Sequence, residues 1–414
     1  MSETRVDGHI FAELNPDSID QADLVVGIHS QDDADNMELV VRKAAGGVAR
    51  YYPGLKAVLA CVDEASADGS KEAFFSVPCW LPRIYLSTSP ARRLKKLCFF
   101  NLVSLARRLK TRAALFFEAR IVTIKKTWVP RLAEPILNNG AAFTSPIYAR
   151  QVFDTPNTFL LSYPLFRALF GRRIRCPHLG DAAFSGALAE AFAQSEWPPE
   201  DSYYSCELAS AAIAVATGPV YQSFMADPRV GKSRVPVDAM SIADEFYQIL
   251  STFYELMLQR EDFWVKIKNS RPTPILGTDL KPEILPPREL IGSPETFRAA
   301  IAQRSQDAQS LWKEFFPRQL GLLNSLSQGD LDDAEVPIDD WVELIYLGAA
   351  AYRQLPPDKR APLVYALAPP FLARLYNLKK LAGTLPLAQL NSIMENDAQV
   401  FEKKKPFLLE VWRA

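Results

Sequence analysis

A carboxylate and a guanidinium stand two positions apart, directly after a short apolar segment, at Glu118 and Arg120. The segment, residues 113–117, is apolar throughout, which is typical of a buried strand. Ligands of open parallel sheets bind beyond the carboxyl ends of the strands. The sequence therefore predicts a functional centre at Glu118, where Arg120 could bind a phosphate group in bidentate fashion. The alternative is an ordinary surface ion pair between these two side chains.

Strands and helices alternate around this segment. A strand at 23–28, a helix at 37–51 and a strand at 55–62 have the spacing of a βαβ unit with a parallel sheet. A long amphipathic helix is predicted at 238–269, and the chain after residue 295 is helical. The other predicted elements are strands at 83–86, 141–146 and 220–224 and helices at 89–109, 128–137 and 206–216.

The composition places further limits on function. The chain has 414 residues, a net charge of −1 and 48% apolar residues, so no overall field attracts nucleic acid. No apolar run approaches the ~20 residues that span a bilayer. Five scattered cysteines and three histidines argue against a zinc site or a disulfide framework. A polar N-terminus without a signal peptide favours the cytoplasm.

Several loops, taken in order, resemble those of the GT-A class of nucleotide-sugar glycosyltransferases, and in particular the glucosylglycerate and mannosylglycerate synthases. The resemblance rests on Gly-Ile-His-Ser-Gln-Asp-Asp-Ala-Asp-Asn at 27–36, Asp-Glu-Ala-Ser-Ala-Asp-Gly-Ser at 63–70 and Gly-Asp-Ala-Ala-Phe-Ser-Gly at 180–186. Glu-Asp-Phe-Trp at 261–264 is also similar. The resemblance as a whole implies an α/β fold with a mostly parallel, Rossmann-like sheet flanked by helices, followed by an all-helical C-terminal region.

The same resemblance implies a domain order and an activity. The expected segments are a polar lead-in at 1–20, a GT-A glycosyltransferase-like domain at 21–277, a linker at 278–294 and a helical domain at 295–414. The implied reaction moves a hexose from a UDP- or GDP-sugar to a small carboxylate or polyol acceptor that resembles glycerate. A homodimer through the helical tail is a further expectation.

Site roles also follow from the resemblance. It implies catalytic Asp181 and Glu118, nucleotide-sugar-binding Ser30, Asp33, Asp63, Lys96 and Arg120, and acceptor-binding Tyr163, Arg167 and Arg172. Each has a plainer alternative. Asp63 and Asp181 suit turns, Asp33 suits a helix cap, and runs of basic residues are usually solvated surfaces.

The metal motif of the resembled enzymes is altered in this chain. Their Asp-Xaa-Asp reads Glu118-Ala119-Arg120, and the segment at 226–234 lacks the histidine that serves them as a metal ligand. No metal ligand is assigned, and Mg2+ or Mn2+ stays open as a cofactor. The Asp181 turn and the nearby arginines favour an active, metal-independent hexosyltransferase, since cations can stabilise phosphate oxygens. The altered motif favours a catalytically degenerate paralogue that acts as a binding or regulatory partner.

Overall fold

The computed structural model describes residues 10–149, 156–198, 204–232, 238–283, 292–328 and 335–414. The chain divides into two units. The first, which we call the sheet unit, consists of Met1–Ala149, Cys176–Ser233 and Thr273–Leu285. The second, the helical unit, consists of Arg150–Arg175, Arg234–Pro272 and Pro286–Ala414.

One sheet runs through the sheet unit, with the strand order β1-β4-β3-β2-β5-β7-β6-β8-β9. The pairings of β2 with β3 and β5, of β3 with β4, and of β8 with β6 and β9 are parallel, and the rest are antiparallel. The strands are β1 (Ala12–Leu14), β2 (Leu24–Ser30), β3 (Ala57–Asp63), β4 (Arg83–Ser87), β5 (Ala113–Glu118), β6 (Phe143–Ile147), β7 (Ala182–Ser185), β8 (Val220–Phe224) and β9 (Ile275–Leu276).

Helices cover this sheet and build the helical unit. Those of the sheet unit are α1 (Ala34–Tyr51), α2 (Ser70–Ser76), α3 (Lys95–Arg108), α4 (Trp128–Asn139), α6 (Gly186–Gln194) and α7 (Ser205–Thr217). Those of the helical unit are α5 (Tyr163–Phe170), α8 (Ala239–Gln259), α9 (Glu261–Trp264), α10 (Pro294–Phe315), α11 (Leu320–Gln328), α12 (Ile338–Gln354), α13 (Pro357–Tyr365), α14 (Ala368–Ala382), α15 (Leu387–Lys403) and α16 (Lys405–Arg413).

The three central strands position the polar ends of the sheet. Every residue of β2, β3 and β5 is buried, as expected for parallel strands covered on both faces. Their register sets Ser30 opposite Asp63 on one side of β2, and His29 opposite Glu118 on the other. Because these strands are parallel, their polar C-terminal residues gather at one edge of the sheet.

The core of the helical unit is rich in aromatic side chains. Phe246 stacks on Phe371 with ring centroids 4.2 Å apart. Trp341 Nε1 donates to the Leu160 carbonyl at 2.9 Å, and Tyr254 OH donates to that of Ile345 at 2.8 Å. The indole and phenol polar groups are therefore satisfied inside an apolar core. Among the described residues, no helix has both the length and the apolar character to cross a membrane.

The predicted fold class is confirmed: a mostly parallel sheet flanked by helices, with an all-helical C-terminal region. Two helix limits are wrong. The basic helix begins at Lys95 rather than residue 89, since Arg93 donates to the Glu64 carbonyl at 2.8 Å, which holds its segment outside the helix. The long helix ends at Gln259, where Arg260 leaves helical geometry. The predicted domain limits stay a prediction.

Candidate functional site

Six charged side chains meet near the carboxyl end of β5, and we call them the charge cluster. They come from β5 and the residues after it, from α3, from the turn before β7, from α7 and from the loop after β8. The members are Lys95, Glu118, Arg120, Asp181, Glu207 and Arg229.

Glu118 is the centre of the charge cluster. Its carboxylate is 2% exposed and forms an ion pair with Lys95 through Oε1. Its other oxygen, Oε2, accepts from Arg229 Nη2 at 2.7 Å and from Arg120 Nε at 3.2 Å. Burial alone would raise the pKa of Glu118, but Lys95, Arg229 and Arg120 hold that pKa well below its usual range. Glu118 is therefore an ionised carboxylate surrounded by cations.

Arg229 joins Glu118 to Asp181. Its Nε forms an ion pair with Asp181 Oδ2, and the same oxygen accepts from Tyr148 OH at 2.9 Å. The second oxygen of Asp181 accepts from the Glu118 backbone N–H at 3.3 Å. Burial acts to lower the pKa of Arg229, but the two carboxylates raise it well above its usual value. The guanidinium is thus permanently charged and nearly out of water.

Lys95 links Glu118 to a second carboxylate. Its side chain is 1% exposed and forms ion pairs with both Glu118 and Glu207. Gly180 makes room for this arrangement, because a Cβ atom there would lie 2.9 Å from Lys95 Nζ and 2.9 Å from Glu118 Cδ. A side chain at position 180 would therefore displace the Lys95–Glu118 ion pair.

The loop that carries Arg229 is held by Asp227. One oxygen of Asp227 accepts from Trp128 Nε1 at 2.9 Å and from Arg131 Nη1 at 2.8 Å, and the other accepts from Lys125 Nζ at 2.8 Å. These contacts tie the loop to α4 and to the residues before it. The position of Arg229 thus depends on a neighbouring buried carboxylate.

The predicted nucleotide residues Asp63 and Ser30 lie at the ends of β3 and β2. Asp63 accepts from the Ser66 N–H at 2.7 Å, from Ser66 Oγ at 2.7 Å and from Tyr85 OH at 2.8 Å. This is the turn role that was the plainer alternative. Ser30 differs, because its buried Oγ has no hydrogen-bond partner. Most buried hydroxyl groups have a hydrogen-bond partner, so this one can bind a ligand or a water molecule that reaches the end of β2.

Two other predicted nucleotide residues, Asp33 and Lys96, contact other residues of the sheet unit. Asp33 accepts from the Gln31 N–H at 3.0 Å and precedes α1 without capping it through its side chain. Lys96 is buried, and its Nζ donates to the Pro198 carbonyl at 3.3 Å. His29 Nε2 and Glu64 Oε1 lie 2.7 Å apart and form a further buried polar pair.

The predicted acceptor residues belong to the helical unit, whereas the other predicted site residues belong to the sheet unit. Tyr163 OH donates to Glu395 at 2.7 Å, and burial and Glu395 raise the pKa of Tyr163 to about 12. Arg167 Nη1 donates to Glu395 at 2.6 Å, and Arg167 also pairs with Glu402. Arg172 forms a backbone bridge with Arg271. The acceptor roles of these three residues stay a prediction.

The charge cluster does not suit a divalent cation. Mg2+ and Mn2+ prefer several carboxylate or carbonyl oxygens, but Lys95, Arg120 and Arg229 stand against the oxygens of Glu118. Within the described ranges, no three or more histidine, cysteine, aspartate or glutamate side chains form a group that could hold a metal ion. The cluster instead holds one ammonium and two guanidinium groups in ion pairs with carboxylates of the chain itself.

The sequence-based site assignment omits Glu207, Arg229 and the neighbouring Tyr148, and it takes Lys96 rather than Lys95 from the basic helix. Lys95 stands beside the predicted Lys96, and Arg229 lies in the segment whose missing histidine had been noted. Arg229, like Arg120, is a basic residue in a segment that lacks a metal ligand of the resembled enzymes, and this signal could have found it. No pattern in the sequence points to Glu207 or Tyr148.

Comparisons with solved structures find partial similarity at low identity. No protein-family model matches the chain, and no curated protein matches it. A glucosyl-3-phosphoglycerate synthase from Mycobacterium tuberculosis, in complex with Mn2+, UDP-glucose and phosphoglyceric acid, is 15% identical and covers 57% of this chain and 79% of its own, with a TM-score of 0.43. The same enzyme in complex with Mg2+ and UDP is 15% identical and covers 57% of this chain and 79% of its own, with a TM-score of 0.44. A mycobacterial protein is 16% identical and covers 57% of this chain and 74% of its own, with a TM-score of 0.44. At this similarity, the function of the chain has to follow from its own residues.

Proposed function

We propose that this chain is a hexosyltransferase that uses a nucleotide sugar and binds its diphosphate with lysine and arginine rather than with a divalent cation. The observation that carries the proposal is the contact of Lys95, Arg120 and Arg229 with Glu118 at the carboxyl end of β5. This is the edge at which open parallel sheets bind ligands. The acceptor is a small carboxylate or polyol that resembles glycerate.

The chemistry requires positive charge at the leaving group. A nucleoside diphosphate gains negative charge as its bond to the sugar breaks, and preorganised cations in a water-poor site stabilise that charge strongly. Lys95 is buried, Arg229 is 10% exposed, and Arg120 is 36% exposed. The first two therefore offer fixed charges, and Arg120 offers a guanidinium that a ligand from solvent can reach.

Other residues would bind the remaining parts of the donor. Asp181 is the proposed catalytic carboxylate, which orders the sugar hydroxyls and the acceptor. Ser30 supplies a buried hydroxyl without a hydrogen-bond partner, and its neighbour Asp63 shapes the same edge of the sheet. We assign Asp33 and Lys96 to the nucleotide end of the donor on the sequence resemblance.

The acceptor roles of Tyr163, Arg167 and Arg172 are part of the same proposal. Arg167 is suited to a carboxylate, since Glu395 and Glu402 are carboxylates that it already contacts. Binding an acceptor there would mean exchange with one of these side chains. A homodimer through the helical tail stays a prediction.

A transfer assay tests the proposal. The purified chain is incubated in EDTA with UDP-glucose, GDP-glucose or GDP-mannose, and with glycerate, phosphoglycerate or glycerol, and the products are read by mass spectrometry. We expect a new glycoside from one combination and its loss in Asp181→Asn. The matched control is Asp244→Asn, an exposed carboxylate of α8. Absence of product from every combination, with and without added Mn2+, would contradict the proposal.

A second candidate, a degenerate paralogue that binds ligand without catalysis, is favoured by one observation. The carboxylates of Glu118 and Asp181, the two proposed catalytic groups, are both held by cations of the chain itself. Such a protein would act as a binding or regulatory partner. It would bind a nucleotide in EDTA and yield no glycoside, which separates it from the first candidate.

A further inference from the structure

The charge cluster contains as many carboxylates as cations. Glu118, Asp181 and Glu207 oppose Lys95, Arg120 and Arg229, so these six side chains together carry no net charge. A diphosphate brings two or more negative charges. If the diphosphate were added to this neutral cluster, the site would carry an excess of negative charge. Excess charge in low-dielectric surroundings is energetically unfavourable. We therefore expect that the diphosphate binds only if it displaces one of the carboxylates from the cations.

From this balance, and on the basis of the proposed function, we propose that Glu118 occupies the phosphate site and competes with the donor for Lys95, Arg120 and Arg229. The carboxylate is an internal substitute for a phosphate group. Nucleoside diphosphates then bind by exchange with Glu118 and not by addition beside it. This role is the opposite of that of a metal-binding carboxylate, which would strengthen the binding of phosphate.

Of the three carboxylates, Glu118 is the one whose displacement the cluster tolerates best. Lys95 would keep its ion pair with Glu207, and Arg229 would keep its ion pair with Asp181. The third cation, Arg120, is 36% exposed and can be solvated. Each cation thus retains a partner or water when Glu118 moves, whereas loss of Asp181 would also deprive Tyr148 of its acceptor.

Glu118 competes at ordinary pH because it stays charged. Although burial disfavours the ionised form, the surrounding cations keep the pKa of Glu118 well below its usual range. A phosphate group offers these cations the same chemistry with more oxygens, and it can pair with guanidinium in bidentate fashion. The exchange therefore replaces one charged acceptor with another and leaves no buried cation unpaired.

The test is a calorimetric titration of the full chain in EDTA with inorganic pyrophosphate and with UDP. We compare the wild type with Glu118→Gln, which keeps the size of the side chain and removes its charge. We expect the variant to bind pyrophosphate at least about tenfold more tightly, because one repulsive charge at the site is gone. Glu190→Gln, on the exposed face of α6, changes the net charge equally and should bind like the wild type.

A second variant keeps the test decisive if Glu118→Gln does not fold. Glu118→Ser removes the same carboxylate with a smaller side chain and should also tighten the binding of pyrophosphate. Equal or weaker binding by the folded variants, while the wild type binds UDP, overturns the exchange and leaves the proposed function standing. Failure of the wild type and of every variant to bind UDP and pyrophosphate overturns both.

Discussion

Arg229 Nη2 donates to Glu118 Oε2 at 2.7 Å, although the two residues are 111 positions apart in the chain. Glu118 ends a central strand, and Arg229 lies in the loop after β8. The contact brings a guanidinium to the carboxyl end of β5. It therefore sets a positive charge of the chain itself against the carboxylate that ends this strand.

Removal of Arg229 should destabilise the fold. Arg229→Met leaves Asp181 and Glu118 with less opposing charge in a buried site, which typically costs ~3–5 kcal/mol. Urea unfolding followed by tryptophan fluorescence measures the loss. Arg42→Met, at an exposed ion pair with Glu38 on α1, should cost no more than ~0.5 kcal/mol. Equal unfolding free energies for the two variants would show that Arg229 does not neutralise the site.

Gly180 should resist substitution more than a glycine in open space. In Gly180→Ala the new methyl group would lie 2.9 Å from Lys95 Nζ, so the Lys95–Glu118 ion pair has to shift. We expect a cost of ~1–3 kcal/mol in stability and weaker nucleotide binding. Gly54→Ala is the matched control, because nothing lies within 4 Å of its Cβ position. If both variants bind UDP like the wild type, the close approach of Gly180 to Lys95 and Glu118 does not matter for nucleotide binding.

Lys405 should make stability depend on pH. Its Nζ donates to the carbonyls of Ala168 at 2.8 Å and Trp264 at 2.7 Å. Burial lowers the pKa of Lys405 to about 7, from 10.5 in a solvated lysine. Between these values the unfolded chain binds more protons than the native protein, so this group makes the free energy of unfolding rise with pH.

Lys405→Met isolates the effect. The unfolding free energy of the wild type minus that of the variant should increase from about pH 7.5 to about pH 9.5, with a slope of up to ~1.4 kcal/mol per pH unit. Urea unfolding at several pH values gives this difference. A difference that stays constant, or falls as pH rises, would mean that Lys405 is charged in the native state throughout this range.

The central strands could be predicted because their signal is local. Residues 113–117 are apolar without interruption, and the structure buries all of β5. The short strands β1, β7 and β9 were missed, since two to four residues carry too little pattern. The helix at 89–109 was placed too early, because its apolar stripe does not reveal that Arg93 is drawn to Glu64 and Asp32.

Some residues of the charge cluster could be found from the sequence because their signal is also local. Glu118 and Asp181 stand in recognisable segments, and the structure brings them together through Arg229. The partners that define their chemistry come from distant segments, and only the folded sheet unit sets Lys95 and Glu207 side by side. A charge pair between remote residues leaves no spacing that a single sequence can reveal.

The most direct test of the central claim is the metal dependence of nucleotide binding. Calorimetric titration with UDP and GDP is run in EDTA and again with Mn2+, on the wild type, on Arg120→Ala and on the control Arg42→Ala. If lysine and arginine bind the diphosphate, one of the nucleotides binds equally in both buffers, and Arg120→Ala weakens it about tenfold, as expected for a lost charge-assisted contact. Binding that appears only with Mn2+ would contradict the account, since Glu118 would then help to hold a metal ion.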